Sequence, residues 1–247
     1  MDLGIAGRRA AVAGASAGLG FATAAALAAE GVEVAICGRG AERLVAAAER
    51  LDGAVAIEAD VSSVEGATRF VEQAEAALGG IDILVPNAGG PPPGNFASTP
   101  LEAYAPALEL NLLSTVAMCE AAVPAMCERG WGRVVAITSI AVRQPIGGLI
   151  LSNTARAGLT GFLKTLAREI APRGVTVNSV QPGLHATDRL SQIYGGDLSS
   201  AGAEVPVGTV GRPEDFGAVV AFLCSDAARY VTGAALPVDG GEHRGLL

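Results

Sequence analysis

Short, continuous apolar runs alternate along the chain with longer stretches in which apolar residues recur every three or four positions. Arg9–Ala13, Val32–Cys37, Ala54–Ala59, Ile81–Val85, Arg133–Thr138, Thr176–Val180 and Ala234–Val238 read as strands. Between them, Leu19–Glu30, Ala41–Leu51, Val64–Leu78, Leu101–Glu128, Ser152–Ile170 and Pro213–Cys224 read as helices. Strands that are apolar throughout, rather than at alternate positions, belong to a parallel sheet buried on both faces. The strand–helix alternation therefore predicts an α/β fold: right-handed crossovers and a doubly wound parallel sheet with helices on both faces. No linker, repeat or low-complexity run divides residues 1–247, which read as a single domain. The least regular stretch, Leu184–Val210, is rich in Gly and Ser and reads as a mobile flap.

Composition narrows the function. The chain has 247 residues, 33 of them Gly, enough length to bury a large core and enough glycine for many tight turns. Its net charge of −8 disfavours nucleic acid or an anionic membrane as partner. The four cysteines, Cys37, Cys119, Cys127 and Cys224, show no C-x-x-C spacing and read as reduced thiols of a cytoplasmic protein. Two histidines and scattered cysteines give no zinc-ligand spacing, so no metal is expected. Ala10–Ala29 carries no charge and follows Arg8-Arg9, superficially like an export signal. Its three glycines and many alanines fit a strand, a turn and a helix better.

That turn carries the first chemistry. Ala13-Gly14-Ala15-Ser16-Ala17-Gly18-Leu19-Gly20 lies between the first strand and the first helix, with glycines spaced G-x-x-x-G-x-G. Glycine allows the tight turn, close backbone approach to a pyrophosphate, and close helix–strand packing; the helix start then attracts phosphate. Gly14, Ser16, Ala17, Gly18, Leu19 and Gly20 are thus the candidate dinucleotide cradle of a Rossmann-type sheet. The second strand ends at Gly38-Arg39. A carboxylate there would bond the adenosine ribose of NAD(H), whereas an arginine suits the 2′-phosphate of NADP(H).

With these features the chain resembles the short-chain dehydrogenase/reductase family over essentially its full length, and most closely its 3-oxoacyl-acyl-carrier-protein reductases. Asp60-Val61 looks like the pair that contacts adenine, and Asn87-Ala88-Gly89 matches the family's N-A-G motif. Asn111 falls where the family keeps a structural and catalytic asparagine, and Ser139 where it keeps the substrate-binding serine. Pro182-Gly183, followed by Thr187, matches the motif contacting the nicotinamide end. The resemblance implies NADP(H) more than NAD(H), a small-molecule or acyl substrate, and a homotetramer or dimer. Ala17 departs from the basic residue that NADP(H)-using relatives carry inside the turn.

The larger departure is catalytic. The family's signature is Tyr-x-x-x-Lys, thirteen residues after the serine. Here that count lands on Ser152 and then Arg156, and no Tyr-x-x-x-Lys occurs elsewhere. The i, i+4 spacing still puts both side chains on one helix face. A phenol of pKa about 10 can be tuned toward neutrality by a neighbouring ammonium, but an aliphatic hydroxyl cannot. Arg156 keeps the charge and can bond the nicotinamide ribose without relaying a proton.

Three readings of this altered site follow. An atypical oxidoreductase would use Ser139, Ser152, Arg156 and Asn111 around a bound water, or His185 if its loop folds inward rather than lying in solvent. A sensor or scaffold would bind NADP(H) without redox chemistry. A third possibility reuses the fold for non-redox chemistry. The loop Gly90–Thr99 and the flap are expected to line the substrate pocket.

Overall fold

The computed structural model describes residues 2–246. Seven parallel strands form one sheet: β1 (Arg9–Val12), β2 (Glu33–Gly38), β3 (Val55–Glu58), β4 (Ile83–Val85), β5 (Gly132–Ile137), β6 (Val175–Pro182) and β7 (Ala235–Val238). Their order is β3-β2-β1-β4-β5-β6-β7, so the direction of winding reverses between β1 and β4. The strands lie where the apolar runs place them, with ends shifted by one or two residues.

The reason those runs are apolar throughout is visible in the packing. Successive strand residues point to opposite faces, and both faces are covered. Ala11, Leu84, Val134 and Ala136 pack with Phe70 and Val71 of α3 (Val64–Leu78), Met118 of α5 (Ser114–Arg129) and Leu159 of α6 (Ile150–Ile170). Val12, Ile36, Ile83 and Val135 pack on the other side. Their neighbours there are Leu27 of α1 (Gly18–Ala29), Leu44 of α2 (Ala41–Glu49) and Phe216 of α9 (Pro213–Cys224).

The stretch 10–29 is indeed β1, a turn and α1. The segment read as one helix over Leu101–Glu128 is interrupted instead. It holds a 3-10 turn (Leu101–Ala103), then α4 (Tyr104–Leu108), a π-helical turn (Glu109–Leu113) and α5. Leu101–Arg129 is long and apolar enough to cross a membrane by length and composition, but half of its most apolar stretch is buried within the fold.

The stretch read as an irregular flap contains two short helices, α7 (Asp188–Ile193) and α8 (Leu198–Ala203). Local capping explains them. Thr187 Oγ1 accepts from Leu190 N at 3.3 Å, and Asp197 Oδ1 accepts from Ser199 N at 3.1 Å and Ser200 N at 3.3 Å. Leu190, Ala201 and Val205 are buried beneath them, which ties the segment to the body.

Helix α1 is positioned from behind by α9, and Gly217 sets their separation. A Cβ at Gly217 would lie 2.4 Å from the Ala22 carbonyl oxygen, a backbone atom that cannot swing aside. Gly217→Ala should therefore destabilise the fold by about 1–3 kcal/mol, the usual cost of overpacking a filled core. Urea unfolding followed by circular dichroism measures this, and an unchanged midpoint would contradict the packing described.

Candidate active site

Parallel strands end at the same edge of the sheet, so the loops after them collect there. The glycine turn follows β1, Arg39 follows β2, Asp60-Val61 follows β3 and Asn87-Ala88-Gly89 follows β4. Ser139 follows β5, and Pro182-Gly183 closes β6. Gly18, Leu19 and Gly20 open α1, and Asn111, Ser152 and Arg156 come from helical segments farther along the chain. The sequence-predicted residues are thereby drawn to one edge, centred on the β1/β4 reversal.

The turn is built by close contacts. Gly14 and Gly18 take φ of +57° and +61°, conformations open mainly to glycine. A Cβ at Gly20 would sit 2.4 Å from the Gly14 carbonyl oxygen. Asn87 Nδ2 donates to the carbonyls of Ala13, at 3.2 Å, and Gly14, at 3.1 Å, which joins the β4 end to the turn. Ala17 precedes α1 in extended conformation, offers no side-chain cap, and no acidic residue occupies the first helical turn. The positive end of α1 is left for an anionic ligand.

A Cβ at Gly38 would lie 3.0 Å from both Cβ and Oγ of Ser16, so a side chain at the end of β2 would have to push that serine aside by a few tenths of an ångström. Arg39 is exposed beside it and makes no ion pair among the described residues. Asp60 is exposed, with Oδ1 accepting from Ser62 N at 3.0 Å, and Val61 is buried.

At the other end of the crevice, Arg156 is 8% exposed. Its guanidinium donates to the Ile137 carbonyl at 3.3 Å and the Ala88 carbonyl at 3.5 Å, both long. Burial, and then the charge of Arg189, push it down to about 10, so it stays charged at neutral pH. Asn111 sits in the π-helical turn, where its Nδ2 donates to the Gly89 carbonyl at 2.8 Å while its buried Oδ1 has no partner. Such turns inside α-helices are frequent at functional sites. Ser139 Oγ accepts from Ala141 N at 3.1 Å and caps the short turn after β5. Ser152 is nearly buried on α6 and makes no hydrogen bond to another described side chain. Its neighbour Leu151 faces a hollow of about 550 Å³ whose other wall includes Pro91–Pro93 and Leu110, so the loop after Gly90 does line a cavity.

Two groups stand apart from the sequence expectations. His185 is neither solvated nor directed at this constellation: it is 5% exposed, with its ring 5.2 Å from that of Phe216 in a T-shaped contact. Nδ1 lies 3.1 Å from the Gly183 carbonyl, and burial lowers the pKa, so it is a neutral core histidine. Arg189, in the first turn of α7, went unremarked in the sequence. Its guanidinium covers Gly90, with both Nη atoms 2.7 Å from where a Cβ would be. Its position two residues after Thr187 was the available signal. Thr187 itself approaches the cradle, its methyl 3.6 Å from a Cβ at Gly18. Gly183 is needed where it stands, since a Cβ would meet Asp239 Cβ at 2.7 Å.

Cys37 is no nucleophile, for burial raises its thiol to about 12. Among the described residues no group of three or more His, Cys, Asp or Glu is placed to hold a metal ion.

Comparison with known proteins identifies the family. The family model described as enoyl-(acyl carrier protein) reductase matches residues 14–243. A 3-oxoacyl-acyl-carrier-protein reductase of Aquifex aeolicus is 35% identical over 98% of this chain and 99% of its own length. Human dehydrogenase/reductase SDR family member 4 is 36% identical over 91% of this chain and 83% of its own. Among solved structures, L-sorbose reductase of Gluconobacter frateurii, complexed with NADPH and L-sorbose, superposes with a TM-score of 0.92 at 34% identity, covering both chains completely. The chain belongs to the short-chain dehydrogenase/reductase family and is an NAD(P)-dependent oxidoreductase.

Proposed function

We propose that this protein uses NADPH to reduce the carbonyl of a small or acyl substrate, and runs the reverse oxidation when product accumulates. The observation that carries the reading is the joint of Gly14, Gly20 and Asn87 beneath an uncapped helix start. Such a joint suits the close approach of a pyrophosphate to backbone N–H groups. The residues present fit the dinucleotide. Gly14, Ser16, Ala17, Gly18, Leu19 and Gly20 would cradle its phosphates, Asp60 and Val61 its adenine, and Asn87, Ala88 and Gly89 its riboses. Pro182, Gly183 and Thr187 would hold the nicotinamide end. When bound, the cofactor supplies or accepts the hydride.

This chain's own residues do the rest. Ser139 orients the carbonyl oxygen, and Arg156 holds positive charge below the crevice near the ribose. With no phenol or ammonium at positions 152 and 156, the proton is delivered by a water held by Ser152, Ser139 and the unpartnered Oδ1 of Asn111. His185 takes no part, since its ring is packed against Phe216. The sensor and non-redox alternatives find less support, because the Aquifex aeolicus, human and Gluconobacter frateurii proteins that match the chain nearly end to end are named as reductases or dehydrogenases. A spectrophotometric screen of NADPH oxidation across ketones, aldehydes and 3-oxoacyl thioesters tests the reading; no turnover with any of them, despite tight cofactor binding, would contradict it.

The finer preference for NADP(H) rests on Gly38, which supplies no carboxylate to the adenosine ribose, and on the exposed Arg39 beside it. Arg39→Ala should weaken NADPH binding by about tenfold, the low end for a charge-assisted hydrogen bond at an exposed site, and leave NADH nearly unchanged. Fluorescence titration with both cofactors decides it, and equal affinities in the unaltered protein would sink the idea.

Restoring the family pair probes the proton route. Ser152→Tyr with Arg156→Lys should raise carbonyl reduction, because a placed general acid is worth about 10²–10⁴ in rate. Arg156→Ala should mainly weaken cofactor binding. A double variant that binds NADPH normally but loses an ordinary wild-type rate would make Ser152 and its water the evolved catalyst.

We also infer a cytoplasmic homotetramer or, failing that, a dimer, in which α5 and α6 pack across a two-fold axis. Leu113, 44% exposed just before α5, is one apolar residue such a contact would cover. Light scattering at micromolar concentration should give a multiple of the 24.6 kDa chain mass; a monomer would refute the assembly.

A further inference from the structure

Two guanidinium groups meet at the crevice, while the carboxylate beside Gly183, that of Glu242, accepts from Leu184 N at 3.3 Å instead of pairing with either. Arg156 reaches the Ala88 carbonyl from below, and Arg189 lies over Gly90, so the two cations flank a single loop, Asn87-Ala88-Gly89-Gly90. Neither forms an ion pair among the described residues. The chain has 25 acidic residues against 17 basic ones, so an unneutralised pair here is not a by-product of a cationic surface.

Physical cost sharpens the point. A buried guanidinium with only two long bonds to carbonyls has lost its hydration without full replacement. A second cation nearby adds repulsion, which is one reason Arg156 is shifted down. Arg189 is exposed and keeps its hydration, and an anion bound to it would offset the repulsion that Arg156 feels. Planar guanidinium groups favour carboxylate or phosphate in bidentate geometry.

The dinucleotide's own phosphates have other anchors in the proposed binding mode. The pyrophosphate belongs at the uncapped start of α1, and the 2′-phosphate at Arg39. Arg189 instead covers Gly90, where the loop begins whose Pro91–Pro93 line the hollow shared with Leu151, the neighbour of Ser152. We infer that Arg189 is a specificity-determining residue: it binds a carboxylate carried by the carbonyl substrate, which makes an oxo acid rather than a neutral ketone the preferred substrate class. This rests on the reading of the site as a carbonyl reductase.

The hydride and proton balance is that of any such reduction. The carbonyl carbon takes the hydride from NADPH, the oxygen takes a proton from water, and a hydroxy acid and NADP⁺ leave. The carboxylate is not consumed; it orients the carbonyl.

The probes are pyruvate, 3-oxobutanoate and 4-oxopentanoate, each paired with its methyl ester, which removes the charge and keeps the carbonyl. For at least one chain length, the acid should exceed its ester about tenfold in kcat/KM, and raised salt should narrow the gap. Arg189→Ala should abolish that preference while the Kd for NADPH changes by less than about twofold. Calorimetric titration of the protein–NADP⁺ complex with the same pairs gives a readout independent of turnover. If acids bind the complex better than esters through Arg189 yet no carbonyl is reduced, the proposed activity fails and the anion site stands. No preference for acid over ester at any length, in binding or in rate, overturns the inference. A tenfold loss of NADPH affinity in Arg189→Ala with unchanged acid preference also overturns it, assigning the arginine to the cofactor.

Discussion

The close approach of backbone at the first turn is the constraint on which the site depends. The Gly14 carbonyl sits so near the first turn of α1 that residue 20 has no room for a Cβ, and Asn87 pins the same carbonyl from β4. That one joint sets the angle at which α1 leaves the sheet and where its free N–H groups point. It also holds the β4 loop against the turn, at the reversal of strand order. From behind, Gly217 lets α9 approach α1 closely enough to hold that angle. Phosphate recognition here is a consequence of packing distance as much as of glycine flexibility.

The second half of the site is organised around charge without counter-charge. Arg156 is held at low exposure by carbonyls of β5 and the β4 loop, and Arg189 arrives from α7. The other polar side chains the sequence assigns to this half, Ser139, Ser152 and Asn111, are hydroxyls and an amide, none of which titrates near neutrality. Such a set can orient and polarise a carbonyl and order water. It cannot by itself store a proton at neutral pH, which separates it chemically from a phenol–ammonium pair. The π-helical turn at Asn111 reflects the same economy: the irregular turn carries the asparagine to the Gly89 carbonyl and leaves its own oxygen free.

Much of the fold and of the cofactor half of the site was legible in the chain. Continuous apolar runs mark strands covered on both faces. The glycine turn is legible because it meets a local backbone demand that few residues satisfy, whereas Asn87 was reached through the family resemblance and Gly38 through the lack of a carboxylate at the end of the second strand. Less legible were elements whose shape depends on distant contacts. The interruption at 109–113 carries no helix-breaking residue within it. Helices α7 and α8 lie in a stretch whose glycines suggested irregularity, because two caps and burial of Leu190 and Ala201 outweigh weak propensity.

The sequence by itself determined the layering of the sheet, the phosphate cradle, and the absence of the tyrosine and lysine, since these follow from patterns a few residues long. Only the tertiary structure decided what the remaining polar residues do. His185 and Arg189 sit four positions apart on one segment, and nothing local distinguishes their roles. The packing of α9 against the sheet turns the histidine into a neutral core residue beside Phe216. The start of α7, capped by Thr187 near Gly18, projects the arginine over Gly90. Burial and the position of neighbouring charge are properties of three-dimensional packing, and they settle whether an ionisable side chain is filler or part of the site.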